Sequence, residues 1–236
     1  MNALKQIHFY KLGSLAAIIL VASLPMNAAA KDPYQRFMDS PDAATAFQYI
    51  HQVATHPRCA NCHGVVDDSG SFYPTVGANR KPHPMNITIA NNVILYQEGE
   101  SYKQVEGVVL SCRSCHRDAN GDKEGMPPGN ATAAMPGFVW HMPQPNMTIP
   151  IGISAQSLCK KWLDPAHNSS HLAYRGGKDD LDTFKTEFFE HHAKLDPLVA
   201  WSWSPGPGRE KAPGEHQDFI RAVGVWIDSG APCPDK

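Results

Sequence analysis

Cys59-Ala60-Asn61-Cys62-His63 and Cys112-Arg113-Ser114-Cys115-His116 share one form, Cys-x-x-Cys-His. On a helical turn, positions i, i+3 and i+4 lie on one side. The two thiols of each copy therefore face the same way, beside an imidazole. That arrangement is the attachment signature of a c-type haem. Cys59 and Cys62, like Cys112 and Cys115, are placed to close thioether bonds to the vinyl groups of one haem. His63 and His116 then reach the iron as proximal ligands. Two copies predict two covalently held haem c groups and a fold of short helices and ordered loops built around them.

The N-terminus agrees with such an assignment. Lys5 and Lys11 form a basic start, Leu12 to Leu24 is an uncharged apolar run, Pro25 breaks it, and Ala28-Ala29-Ala30 offers a cleavage site. Residues 1–30 therefore read as a secretory signal peptide. A membrane span needs about 20 predominantly apolar residues, and this run is shorter. No later stretch is apolar enough to span, so the mature chain, residues 31–236, is expected to be soluble and periplasmic. Residues 1–30 hold two of the 21 basic residues and none of the 23 acidic ones, which leaves a mature chain of formal charge −4 (19 basic, 23 acidic). That balance argues against nucleic acid as a partner and is too mild to specify a protein partner. The length suits one dihaem domain or two lobes, about 31–110 and 111–236.

Twenty Pro and 18 Gly imply short helices and long loops. Ser40-Pro41-Asp42 predicts a helix start, with Ala44, Phe47, Ile50 and Ala54 at helical spacing and Pro57 as the stop before Cys59. Residues 64–98 read as mostly irregular. Ser101 to Leu110 reads as a short lead into the second motif that could be helical. Gly121 to Pro150 reads as a loop over a haem face. Ser154 should cap a helix to Leu163. Lys178 to Leu195 should be amphipathic, with Leu181, Phe184, Phe188 and Leu195 on one side. Glu215 to Ser229 should be the last helix, with Phe219, Val223, Trp226 and Ile227 inward and Gly230 at its end. Cys159 and Cys233 are left over from the motifs. In an oxidising compartment they are expected to form a disulfide, the alternative being two buried thiols.

These segments resemble a group of exported c-type cytochromes often labelled as a subunit of isoquinoline 1-oxidoreductase. The resemblance rests on His56 to His63, His83-Pro84-Met85-Asn86, Cys112 to Asn120, Pro136 to Trp140, Met147 and Ser157-Leu158-Cys159. In the tail it rests on Asp196 to Trp203, Pro205 to Arg209 and Ala231 to Pro234. It covers about Ala43 to Pro234. It implies cytochrome c-like helices around two covalently bound haems, and redox protein partners that include a molybdenum hydroxylase. The chain departs from the group at His191-His192, where similar proteins carry one His.

Distal ligands are less constrained. Met147 is the first candidate for one iron, because Met/His ligation is common in cytochromes c and the residue matches the group. Met126, Met135 and Met142 compete with it. For the other iron, His83 and Met85 share one short loop, and flanking prolines would hold the His83 ring. His192, four residues after Phe188, is a third candidate, although a His there is more often a core or propionate-binding residue. His51, His56, His167, His171 and His216 read as surface or hydrogen-bonding residues. Arg58, Arg113 and Arg209 suit haem propionates.

Together these features predict a periplasmic dihaem electron carrier between a dehydrogenase and the respiratory chain. One alternative is a dihaem redox enzyme, such as a peroxidase or a sulfur-compound oxidiser, with an open iron. No catalytic acid/base set is evident for it. A four-Cys zinc site would leave both trailing His residues unexplained, and a thiol–disulfide oxidoreductase would need a thioredoxin-like βαβ context.

Overall fold

The computed structural model describes residues 30–68, 70, 72–83, 87–90, 93–98, 101–104, 116, 147–164, 182 and 185–235. The chain divides into two units, Met1–Ala30 and Lys31–Lys236. Every element below belongs to the second. The expected signal peptide lies outside the described residues. Among the described residues no helix is long and apolar enough to cross a membrane.

The fold is mostly helical and loop-rich. In chain order the helices are α1 (Pro33–Asp39), α2 (Ala43–Thr55), α3 (Pro57–His63), α4 (Ala155–Leu163), α5 (Lys185–Leu195), α6 (Pro197–Trp201) and α7 (His216–Asp228). The start of α2 lies two residues beyond the expected Ser40. Asp42 is the N-cap, in a capping box with Thr45. Ser40 closes α1 instead, a helix absent from the expectation. Pro57 acts twice. It follows the end of α2 at His56, and it opens α3 at a first-turn position, where its missing N–H costs nothing. The first motif is therefore a separate helix set at a corner from α2.

The core lies between α2 and α7. Phe47, Ile50 and Val53 are buried with Phe219, Val223, Trp226 and Ile227, and Phe37 of α1 and Leu158 and Trp162 of α4 join them. Both α4 and α7 match expectation. Ser154 caps α4 by accepting from the Ser157 N–H, and Gly230 adopts φ +86° just past the C-cap Ser229, as a helix stop requires. Cys159 and Cys233 are joined in a disulfide, which ties α4 to the C-terminal tail.

Two expectations fail. Residues 64–98 are not mostly irregular, and 101–104 are not helical. They form β1 (Val65–Val66), β2 (Phe72–Tyr73), β3 (Thr75–Val76), β4 (Lys81–Pro82), β5 (Ile87–Ala90), β6 (Val93–Glu98) and β7 (Ser101–Gln104). Five strands make an antiparallel sheet in the order β1-β2-β5-β6-β7, and β3 pairs with β4 as a separate hairpin. The Gly and Pro residues read as breakers fall largely between these short strands rather than inside them. The β-branched and aliphatic runs Ile87-Thr88-Ile89 and Val93-Ile94-Leu95 carry the strand preference.

Helix α5 also departs from expectation. It is π-wound, with i→i+5 bonds. Seven residues close nearly two α-helical turns, but fewer turns of the wider π winding. Phe188 is thus buried while Leu195, seven residues on, is 57% exposed. Leu181 and Phe184 lie outside the described residues.

Candidate functional site

The first motif is held from three directions. At its N-terminus the His56 imidazole accepts from the Arg58 N–H, so His56 is the N-cap of α3. At its C-terminus Arg80 donates to the carbonyls of Ala60 and Gly64, at 2.9 and 3.0 Å. Those carbonyls carry the negative end of the helix dipole, and a guanidinium suits them. On its flank Asn61 donates to the Gly77 carbonyl and accepts from Thr75 Oγ1 at 2.8 Å. The β3–β4 hairpin therefore braces the motif, and Arg80, with φ +48°, lies in its turn. Gly64 follows His63 with φ +60°, and its backbone passes so close to β2 that a Cβ would stand 2.4 Å from the Tyr73 carbonyl oxygen. Only glycine fits there.

His63 donates through Nδ1 to the Met147 carbonyl at 2.9 Å. The segment carrying that carbonyl is pinned in turn. Thr148 is buried, and Lys161 of α4 donates to both its hydroxyl and its carbonyl. Burial, with His192 as the next contributor, pushes the His63 imidazole down to about 4, so the ring is neutral and Nε2 is a lone-pair donor. Burial and the neighbouring Cys62 push the Cys59 thiol up to about 12. Both side chains are half-buried.

Opposite His63 stands His192, on α5. The two ring centres are 6.2 Å apart with planes at 89°. Phe188 stacks on the His192 ring. His192 Nδ1 lies 3.4 Å from the Asp196 carboxylate, which is itself fixed as the N-cap of α6 by accepting from the Leu198 N–H at 2.8 Å. Beyond the motif, the Arg58 guanidinium lies over Trp201. Among the described residues its buried Nε meets no acceptor. Burial, and then the positive charge of Arg209, hold Arg58 below its usual range.

Of the second motif His116 is described, and its ring centre is 6.2 Å from that of His83 at an interplanar angle of 51°. His83 follows β4, and its N–H donates to the Pro74 carbonyl. Cys112, Cys115, Met85, Met126, Met135, Met142, Arg113, His167 and His171 lie outside the described residues. His51 and His216 bond the carbonyls of Ile153 and Ala193.

These residues fit a haem c. Two thiols and a neutral imidazole sit on one helix, and Arg58, near Arg209, has a buried N–H suited to a propionate. Among the described residues no three His, Cys, Asp or Glu side chains converge on one point. A porphyrin iron needs only two protein ligands, so a facing pair of imidazoles suffices. Arg80 and Lys161 carry no sequence signal, and Asp196 only its place in the resembling tail stretch, because their roles depend on contacts made only in the fold. Comparison with known protein families, with curated proteins and with solved structures finds no match.

Proposed function

We propose that the chain is an exported dihaem c-type cytochrome that carries electrons, with its helices packed around two covalently bound haems in the periplasm. The observation that carries this reading is His63. It closes a Cys-x-x-Cys-His helix and has its Nδ1–H bound to the Met147 carbonyl, so that Nε2 is the ligating nitrogen. Such a bond fixes the tautomer and orientation of a metal-binding imidazole. The same motif recurs at Cys112 to His116.

A bound haem supplies the one-electron couple. The chain supplies the rest. Cys59 and Cys62 tether the group, as do Cys112 and Cys115 for the second. Arg58 and Arg209 offset propionate charge, and Phe188, stacked on His192, and Trp201, under Arg58, shield the first site from water. Resemblance to cytochromes labelled as isoquinoline 1-oxidoreductase subunits points to a molybdenum hydroxylase as electron donor and the respiratory chain as acceptor.

The test is a visible spectrum of the protein exported with haem-maturation machinery, oxidised and reduced, with and without carbon monoxide. Two covalent low-spin haems indifferent to carbon monoxide fit a carrier. A high-spin, carbon-monoxide-binding fraction would point to a dihaem redox enzyme with an open iron.

A further inference from the structure

We propose that both irons are bis-histidine, with His192 the distal ligand opposite His63 and His83 the distal ligand opposite His116. This deepens the dihaem reading and rests on it.

The first argument is distance. A metal–imidazole bond is about 2.0–2.1 Å, as at zinc. A five-membered ring with C–N bonds of about 1.33 Å has its centre about 1.1 Å behind each nitrogen. Two imidazoles facing one another across a metal therefore have centres about 6.3 Å apart. The structure holds His63 and His192 at 6.2 Å, and His83 and His116 at 6.2 Å. Ring pairs in simple contact span about 4.5–7 Å, so one such distance would be weak support. Here each motif histidine meets a histidine from outside the motifs at the same separation, and the chain has 12 His in all.

The second argument is orientation. In the first pair both Nδ1 atoms face protein oxygens, the Met147 carbonyl at 2.9 Å and the Asp196 carboxylate at 3.4 Å. Each ring thus has Nε2 to offer to a metal, and each has the outer partner that orients metal-ligating imidazoles. Asp196 and Met147 are positioning residues in this scheme. Met147 has its main chain behind the proximal ring, on the Nδ1 side, and the geometry assigns it there rather than to the distal side.

The third argument is connection. The His83 N–H is bonded to Pro74, and Thr75, the next residue, is bonded to Asn61 inside the first motif. The distal ligand of the second site thus hangs from the hairpin that braces the first. Two histidine ligands also favour lower potentials than the Met/His pair, which raises them.

The experiment is near-infrared magnetic circular dichroism and electron paramagnetic resonance on the oxidised exported holoprotein, with covalent haem counted separately after denaturation. The expected result is two low-spin bis-imidazole haems and no methionine-sulfur-to-iron band. His192→Ala should leave two covalent haems and make one of them high-spin and carbon-monoxide-binding, and His83→Ala should do the same to the other. A methionine-to-iron band in the wild type, lost in Met147→Ala, would overturn the assignment while two covalent haems upheld the dihaem reading. Unchanged spectra in His192→Ala would also overturn it. Absence of covalent haem would defeat both claims. Should the His192→Ala chain not fold, the wild-type spectrum decides alone.

Discussion

The His63 ring stands 6.2 Å from the His192 ring and perpendicular to it, although 63 lies on the motif helix α3 and 192 on the π-wound α5. Each ring is oriented from behind by a protein oxygen. On the His63 side this is the Met147 carbonyl, anchored through Thr148 and Lys161. On the His192 side it is Asp196, anchored as a helix cap.

Asp196 should tune one haem. A carboxylate behind an imidazole raises its basicity and so favours the oxidised, more positive iron. Asp196→Asn keeps a competent N-cap but removes the charge. We expect the reduction potential of one haem to rise and the other to hold, in a redox titration that resolves the two. Equal movement of both, or of neither, would remove Asp196 from this role.

Gly64→Ala should damage the first site selectively. Gly64, at φ +60° and ψ −166°, occupies a region that costs a non-glycine residue about 1–3 kcal/mol. The new Cβ would also stand 2.4 Å from Tyr73 O and 2.7 Å from Phe72 Cε2. The variant should lose thermal stability and retain less haem at Cys59 and Cys62 than at Cys112 and Cys115, as peptide mapping of the exported protein would report.

The legible parts of the fold were those with local signals. The helix of the first motif, the Ser154 cap, the inward face of α7 and the Gly230 stop are written in spacings of a few residues. The hairpin and sheet were missed because the Pro and Gly between short strands mimic irregular chain. The exposed Leu195 is not legible because its spacing from Phe188 matches the α-helical pitch, which α5 does not have. For His192 the sequence offers only a helical face shared with Phe188, since its approach to His63 joins residues far apart in the chain. Arg80 carried no signal at all beyond its charge.

Loss of the disulfide should destabilise without altering the haem spectrum. Cys159 and Cys233 are 74 residues apart in sequence, and a link closing such a loop contributes about 2–4 kcal/mol. Replacing both by Ser should lower Tm by roughly 5–15 °C in a reversible melt, and reducing agent should lower the wild type by a similar amount.

Asp42 should contribute stability that depends on pH. Its carboxylate accepts from the Thr45 N–H, and that bond, the largest cause, holds it below the usual carboxylate range. A depressed pKa means the contribution is present above the unfolded value and is lost as pH falls through the folded one. Asp42→Ala should cost about 1 kcal/mol at neutral pH. The gap from wild type should close in acid, as denaturant melts across pH would measure.

The central claim is that two haems are covalently attached, one to each motif. The most direct test is the intact mass of the protein exported with haem-maturation machinery, taken under denaturing conditions that strip any group not covalently held. The account predicts the mature polypeptide plus two haems, falling to one haem when Cys59 and Cys62 are both replaced by Ala. A mass equal to the polypeptide alone, from a protein that is otherwise folded, would contradict it.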